Sequence, residues 1–169
     1  MKAAALVLLL GTGGALGADP DAGLETYALN MTSVRKMAQA FEAVDAAAKK
    51  NPALAAKLAA DDEGAGDLAT VLAKCEGDPA LKPLFAAAGI SVRDAVMTEA
   101  ALAVAAAGAY VQQQTGKAPS GSPTAVANVK FYQEHLAEIE PINARLRKLS
   151  VLGAGEDEGD EPTDKPDDD

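Results

Sequence analysis

The feature that most constrains the fold is a run of twelve residues, Ala100 to Val111, in which every residue is apolar or glycine. A helix over this run has no polar face for water, so other helices must surround it. The run is shorter than the roughly 20 residues of a membrane span, and the charged Arg93 and Glu99 flank one side. We therefore predict a central buried helix, helix E, from Ser91 to Gln114.

The remainder of the chain also favours helices. Alanine, which has the highest helix propensity, occurs 39 times, and no segment alternates as a strand would. Proline, glycine and capping residues divide the chain into five further predicted helices: A over Ser33–Lys50 with Thr32 as N-cap, B over Pro52–Ala60, C over Asp67–Glu76, D from Asp78 to Gly89, and F from Ser122. The fold class is all-α, a bundle of four to six helices.

Two helices carry the clearest apolar stripes. In helix A the stripe is Val34, Met37, Phe41, Val44 and Ala48. In helix F it is Val126, Val129, Tyr132, Leu136, Ile139, Ile142, Leu146 and Leu149. Steps of three and four residues place each set on one helix face. Pro141 interrupts the second stripe and predicts a kink or break at Glu140.

The first 18 residues form a predicted signal peptide. Lys2 supplies a positive start, Ala3 to Leu10 are apolar, and small residues precede cleavage after Gly17 or Ala18. Glycines weaken the continuous helix that an anchor needs. The mature protein is therefore expected to be exported to the periplasm or beyond, without a transmembrane anchor after processing.

The other terminus is acidic. Residues 156–169 carry nine acidic side chains against Lys165 alone, a composition typical of a disordered tail. Between the termini, residues 19–155 form one helical domain. The whole chain has a net charge of −10, which argues against a nucleic-acid partner.

Few residues suggest chemistry. A single cysteine, Cys75, excludes an internal disulfide, and its place on the apolar face of helix C favours an inert thiol. His135 is the only histidine, and no phosphate-binding loop or nucleophile motif accompanies it. We expect a non-catalytic binding or structural role, with an enzyme of unrecognised site as an open alternative and no catalytic or metal residue assigned.

One polar strip needs an explanation. Asn128 and His135 are seven residues apart and lie within or beside the apolar stripe of helix F, with Phe131 on the same edge. Buried polar groups need partners, since an unpaired group costs on the order of 1–3 kcal/mol. The structural interpretation is that they bind the segment before helix A, around Tyr27 to Thr32, and join the two ends of the domain.

The alternative interpretation is a haem or small-ligand carrier. A helix bundle with Met37 on its first helix and His135 on its last is similar in outline to exported cytochromes that bind haem through methionine and histidine. Met37 is also an ordinary member of a core stripe, and the Cys-x-x-Cys-His motif for covalent haem attachment is lacking. We predict no cofactor and retain both residues as weak candidates.

Short sequence segments suggest a family resemblance. Leu29 to Thr32, Ser122-Pro123, and the segment from Asn128 through His135 to Glu138 resemble a group of small exported all-helical bacterial proteins without an assigned activity. The resemblance extends over about Leu29 to Ile139 and implies no reaction. It leaves the partner open, as an unknown protein or small ligand.

Overall fold

The computed structural model describes residues 23–63 and 67–149, and this part of the chain is helical with no β-strand. A short 3-10 turn, Leu24–Thr26, precedes seven helices: α1 Met31–Lys50, α2 Pro52–Glu63, α3 Leu68–Gly77, α4 Leu81–Ala87, α5 Val92–Thr115, α6 Pro123–Glu134 and α7 Leu136–Leu146. The all-α class is confirmed. The predicted count of four to six helices is too low, because helix F is two helices. The predicted signal peptide and acidic tail lie outside the described residues.

Helix α1 confirms the apolar stripe but begins earlier than predicted. Asn30, not Thr32, is the N-cap, and its side-chain oxygen accepts a hydrogen bond from the Ser33 amide at 2.9 Å. Because this bond satisfies an amide that has no partner within the helix, the helix begins at Met31, before Thr32. All five predicted stripe residues of α1 are buried.

Polar residues at loop positions start the next helices. Asp67 caps α3 by accepting from the Thr70 amide at 2.8 Å. Asp78 accepts from the Ala80 amide at 2.8 Å and so forms a turn, which delays α4 to Leu81. The buried carboxylate of Asp78 is paired with Lys57 of α2 at 2.8 Å. This ion pair joins α2 to the turn before α4.

Helix α5 is central, since it contacts α1, α3, α4 and α6. From Val92 to Leu102 all residues but Arg93 and Asp94 are buried. The prediction of a fully surrounded helix is wrong beyond this point, because Val104 and Val111 are 42% and 54% exposed. Helices α3 and α4, of 10 and 7 residues, are too short to cover all 24 residues of α5.

Helices α6 and α7 replace the single kinked helix that Pro141 predicted. The break falls at His135, not Glu140, and α7 continues through Pro141. A proline removes one hydrogen bond and displaces the carbonyl four residues earlier, that of Ala137. The chain bends just before that residue, where His135 leaves helical geometry with φ −106° and ψ 13°. Downstream of the bend, Ile139, Ile142 and Leu146 are buried as predicted, whereas Leu136 is 38% exposed.

Two ion pairs show how α7 lies on α1. Arg35 pairs with Glu138, and seven residues further along each helix Glu42 pairs with Arg145. The equal advance means that the two helices run in the same direction. Ile139, Ile142 and Leu146 of α7 then join the buried stripe of α1 in the hydrophobic core.

Candidate functional site

The strongest polar contacts of the predicted strip involve Asn128, which is 6% exposed on α6. Its side-chain oxygen accepts from the Leu29 amide at 2.9 Å, and its nitrogen donates to the Tyr27 carbonyl at 2.8 Å. Both polar atoms of the buried amide are therefore satisfied by the segment before α1. These hydrogen bonds match the structural interpretation of Asn128.

Residues 23–30, which we call the N-terminal strap, are bound at two more points. The Tyr27 hydroxyl donates to the Asp94 carbonyl at 3.1 Å and lies 2.8 Å from the hydroxyl of Thr98, a fully buried residue of α5. The Ser122 hydroxyl, at the start of α6, donates to the Glu25 carbonyl at 2.8 Å. The strap thus connects α5 and α6 to the beginning of α1.

His135 has a different environment from Asn128. Its side chain is 35% exposed, its Nδ1 lies 3.2 Å from Glu138, and its ring contacts Phe131 with ring centroids 4.6 Å apart. Arg35 binds the other oxygen of Glu138. The hydrogen bond to His135, and then that to Arg35, lowers the pKa of the Glu138 carboxyl. His135 therefore belongs to an exposed charged cluster that joins α7 to α1.

The two haem candidates are placed in different surroundings. Met37 is completely buried in the hydrophobic core. Arg35, two residues earlier on α1 and so about 200° around the helix, is the residue that reaches the His135 cluster. Met37 packs with apolar side chains, whereas His135 contacts Glu138 and Phe131.

A shallow depression of about 350 Å³ lies where the end of α3, α4 and the start of α5 meet. Its lining includes the charged residues Glu76, Lys82 and Arg93 together with Ile90 and Val92. Cys75, next to Glu76, is half-buried and packs against the core. The depression is open to solvent, and the capping residue Ser91 at its edge is hydrogen-bonded to Asp94.

Glu99, which flanks the apolar run in the sequence, is a buried carboxyl of α5. It is 5% exposed in the middle of α5, and its Oε2 atom has no hydrogen-bond partner among the described residues. Burial raises the pKa of Glu99 to about 7. In the sequence, its burial was indicated only by its position directly before the apolar run.

The second feature that sequence reasoning missed is an exposed apolar surface on the C-terminal half of α5. We call it the open face of α5: Ala103, Val104, Ala107, Tyr110 and Val111. Tyr110 is the most exposed large apolar residue of the described chain, at 62%. Three of the five large apolar side chains that are exposed in residues 23–63 and 67–149 lie on this face. Such clusters often mark interaction sites.

Helix α6 packs closely against a neighbouring side of α5 and does not cover the open face. Gly108, next to the open face, has Val129 of α6 so near that a β-carbon would lie 2.7 Å from its methyl group. Four residues further along both helices, Gln133 donates to Gln112 at 2.9 Å. Helix α6 therefore follows α5 along one side, and the open face lies on another.

Within residues 23–63 and 67–149, no group of three His, Cys, Asp or Glu side chains could hold a metal ion. Helix α5 is long and apolar enough to cross a membrane, but 56% of its most apolar 18-residue stretch is buried in the protein, and the core helix of a soluble protein has the same length and composition.

Comparisons of this chain with protein-family models, curated proteins and solved structures found no match.

Proposed function

We propose that this chain is an exported helical protein with a non-catalytic binding role, and that the open face of α5 is its binding surface. The observation that carries the proposal is the exposure of Val104, Tyr110 and Val111 on one side of the central helix. Apolar side chains exposed together are stabilised when a partner removes them from water.

The hydrogen bonds of the polar strip support a non-catalytic role. Asn128 is occupied by the strap, and His135 and Glu138 join α7 to α1 in an exposed ion-pair cluster. Asn128 and Glu138 each connect two parts of the fold, and His135 contacts its neighbours Phe131 and Glu138. Their contacts explain their presence without a substrate.

Export is supported by the sequence of residues 1–18, which has the charged start, apolar run and small residues of a signal peptide. The test is the intact mass of the protein recovered from the exported fraction of a bacterial host. The expected mass is that of a chain that begins at Ala18 or Asp19. A full-length chain found only in the cytosol would reject the export part of the proposal.

The binding role is tested by site-specific photo-cross-linking in the producing cell. A photoreactive amino acid replaces Val104 or Val111, and the matched control carries it at Val126, a 36% exposed valine of α6. We expect an adduct from the two α5 positions, identified by mass spectrometry, and none from Val126. Equal labelling at all three positions, or none, would reject the open face as the binding surface.

A further inference from the structure

The side chains of the open face follow the spacing of a helix–helix contact. Val104, Ala107 and Val111 are separated by three and four residues, and Ala103 and Tyr110 lie beside them. Apolar residues at this spacing form the seam where two helices pack along their length. The two central alanines are small and permit a close approach of a second helix.

The charge of this surface limits the kind of partner that fits. No Asp, Glu, Lys or Arg occurs between Ala100 and Thr115, although the chain as a whole has a net charge of −10. A basic or acidic partner would find no charge to pair with on the open face. A second copy would bring no like charges into contact there, despite the acidic character of the rest of the chain.

The pattern is also self-complementary. A two-fold axis midway between Val104 and Val111, close to Ala107, would place Val104 of one copy opposite Val111 of the other. The two valine pairs then flank Ala107, which faces its counterpart at the point of closest approach. We propose, building on the binding role above, that the partner of the open face is a second copy of this chain, packed α5 against α5 in antiparallel orientation.

The size of the face predicts a weak association. A face of about two and a half helical turns buries on the order of 400 Å² per copy, about half of the ~800 Å² per partner in a standard stable interface. The dimer should therefore be reversible, with a dissociation constant of about 10–1000 μM.

The first experiment is sedimentation equilibrium of the mature protein over a concentration series. The wild type is expected to approach twice the monomer mass at the highest concentrations. The double variant Val104→Glu/Val111→Glu should remain monomeric, and Val126→Glu, a control of similar exposure on α6, should associate as the wild type does. Circular dichroism checks that each variant is folded.

A charge-swap experiment tests directly whether two copies pair through the open face. Val104→Lys/Val111→Lys and Val104→Glu/Val111→Glu should each be monomeric alone, because like charges meet across the two-fold axis. Mixed in equal amounts, they should form a heterodimer at least as stable as the wild-type dimer. Failure of the mixture to associate, although both variants are folded, would overturn the antiparallel pairing.

The remaining outcomes separate this inference from the binding role. A wild-type protein that stays monomeric at millimolar concentration overturns the second copy as partner. If the photo-cross-linker at Val104 then joins a different protein, the binding role stands and only the identity of the partner is wrong. If it joins nothing, both proposals fail. Loss of association in Val126→Glu as well would place the contact on α6 and also overturn the inference.

Discussion

The half of α5 that carries charged residues is largely covered by its neighbours, whereas the half without charge is partly exposed. Val92–Leu102 is covered on all sides except at Arg93 and Asp94, and it contains the buried Glu99. Ala103–Thr115 has no ionisable group except Tyr110, yet one of its faces is exposed. The comparison shows that an apolar sequence reports what a helix is able to bury, whereas its neighbours decide how much is buried.

The largest expected effect comes from truncating one side chain in each half. Leu102 is 1% exposed, so Leu102→Ala should lower the free energy of unfolding by about 3 kcal/mol. Val111 is 54% exposed, so Val111→Ala should change it by less than about 0.5 kcal/mol. Urea unfolding, followed by circular dichroism at a concentration that keeps the protein monomeric, measures both. Equal losses would mean that the open face is covered within the monomer.

The second prediction concerns pH and Glu99. Burial raises the pKa of this carboxyl from 4.5 to about 7 in the folded state, so ionisation favours the unfolded chain. The contribution of protonated Glu99 to stability is fully present below pH 4.5. It is lost as the pH rises from 4.5 to 7, and it does not change further above that range. The loss is at most about 3 kcal/mol.

Glu99→Gln removes this titration. Its free energy of unfolding, measured at pH 4.5 and pH 8, should fall less between the two than that of the wild type. Glu134→Gln, at an exposed carboxylate of α6, is the control and should keep the wild-type dependence. A wild-type dependence in Glu99→Gln would show that the pKa of Glu99 is not raised in the folded protein.

The third prediction concerns the strap. Asn128→Ala leaves the Leu29 amide and the Tyr27 carbonyl without their buried partner, so it should lower the free energy of unfolding by about 2 kcal/mol. Gln133→Ala, also on α6, removes an exposed hydrogen bond to Gln112 of α5. It should lower the free energy of unfolding by less than about 0.5 kcal/mol. Chemical unfolding of the two variants gives the comparison. Similar values would show that water replaces Asn128 at the strap.

The smallest effect is expected where α5 meets α6. In Gly108→Ala the new methyl group overlaps Val129, which is stiff and cannot move far, but alanine also favours the helix. The net loss of stability should be about 1 kcal/mol. In a double-mutant cycle, Val129→Ala should remove the overlap, so that Gly108→Ala becomes neutral or stabilising in that background. Simple additivity would argue against the close approach.

Local signals in the sequence predicted most helix positions. The stripe of α1 and the capping residue Ser91 of α5 lie where the structure has them, because both depend on residues three or four positions apart. The prediction placed the break at Glu140, since Pro141 shows that a helix is perturbed but not which residue leaves helical geometry. In the structure that residue is His135, six positions before the proline.

The candidate sites were less predictable. The partners of Asn128 were expected in the right segment, since a buried amide needs hydrogen bonds and few segments remained to supply them. Glu99 and the open face were missed. Both depend on which helices cover α5, and that depends on the lengths of α3 and α4 and on the close contact between Gly108 and Val129.

The strap also sets the order in which the chain completes its fold. The hydrogen bond from Asn128 to the Tyr27 carbonyl joins residues 101 positions apart, and that from Ser122 to Glu25 joins residues 97 positions apart. During synthesis from the N-terminus, Tyr27 emerges long before either partner exists. The strap therefore gains its full set of hydrogen bonds only after α6 has left the ribosome, and until then the Tyr27 hydroxyl can bind only Asp94 and Thr98 of α5.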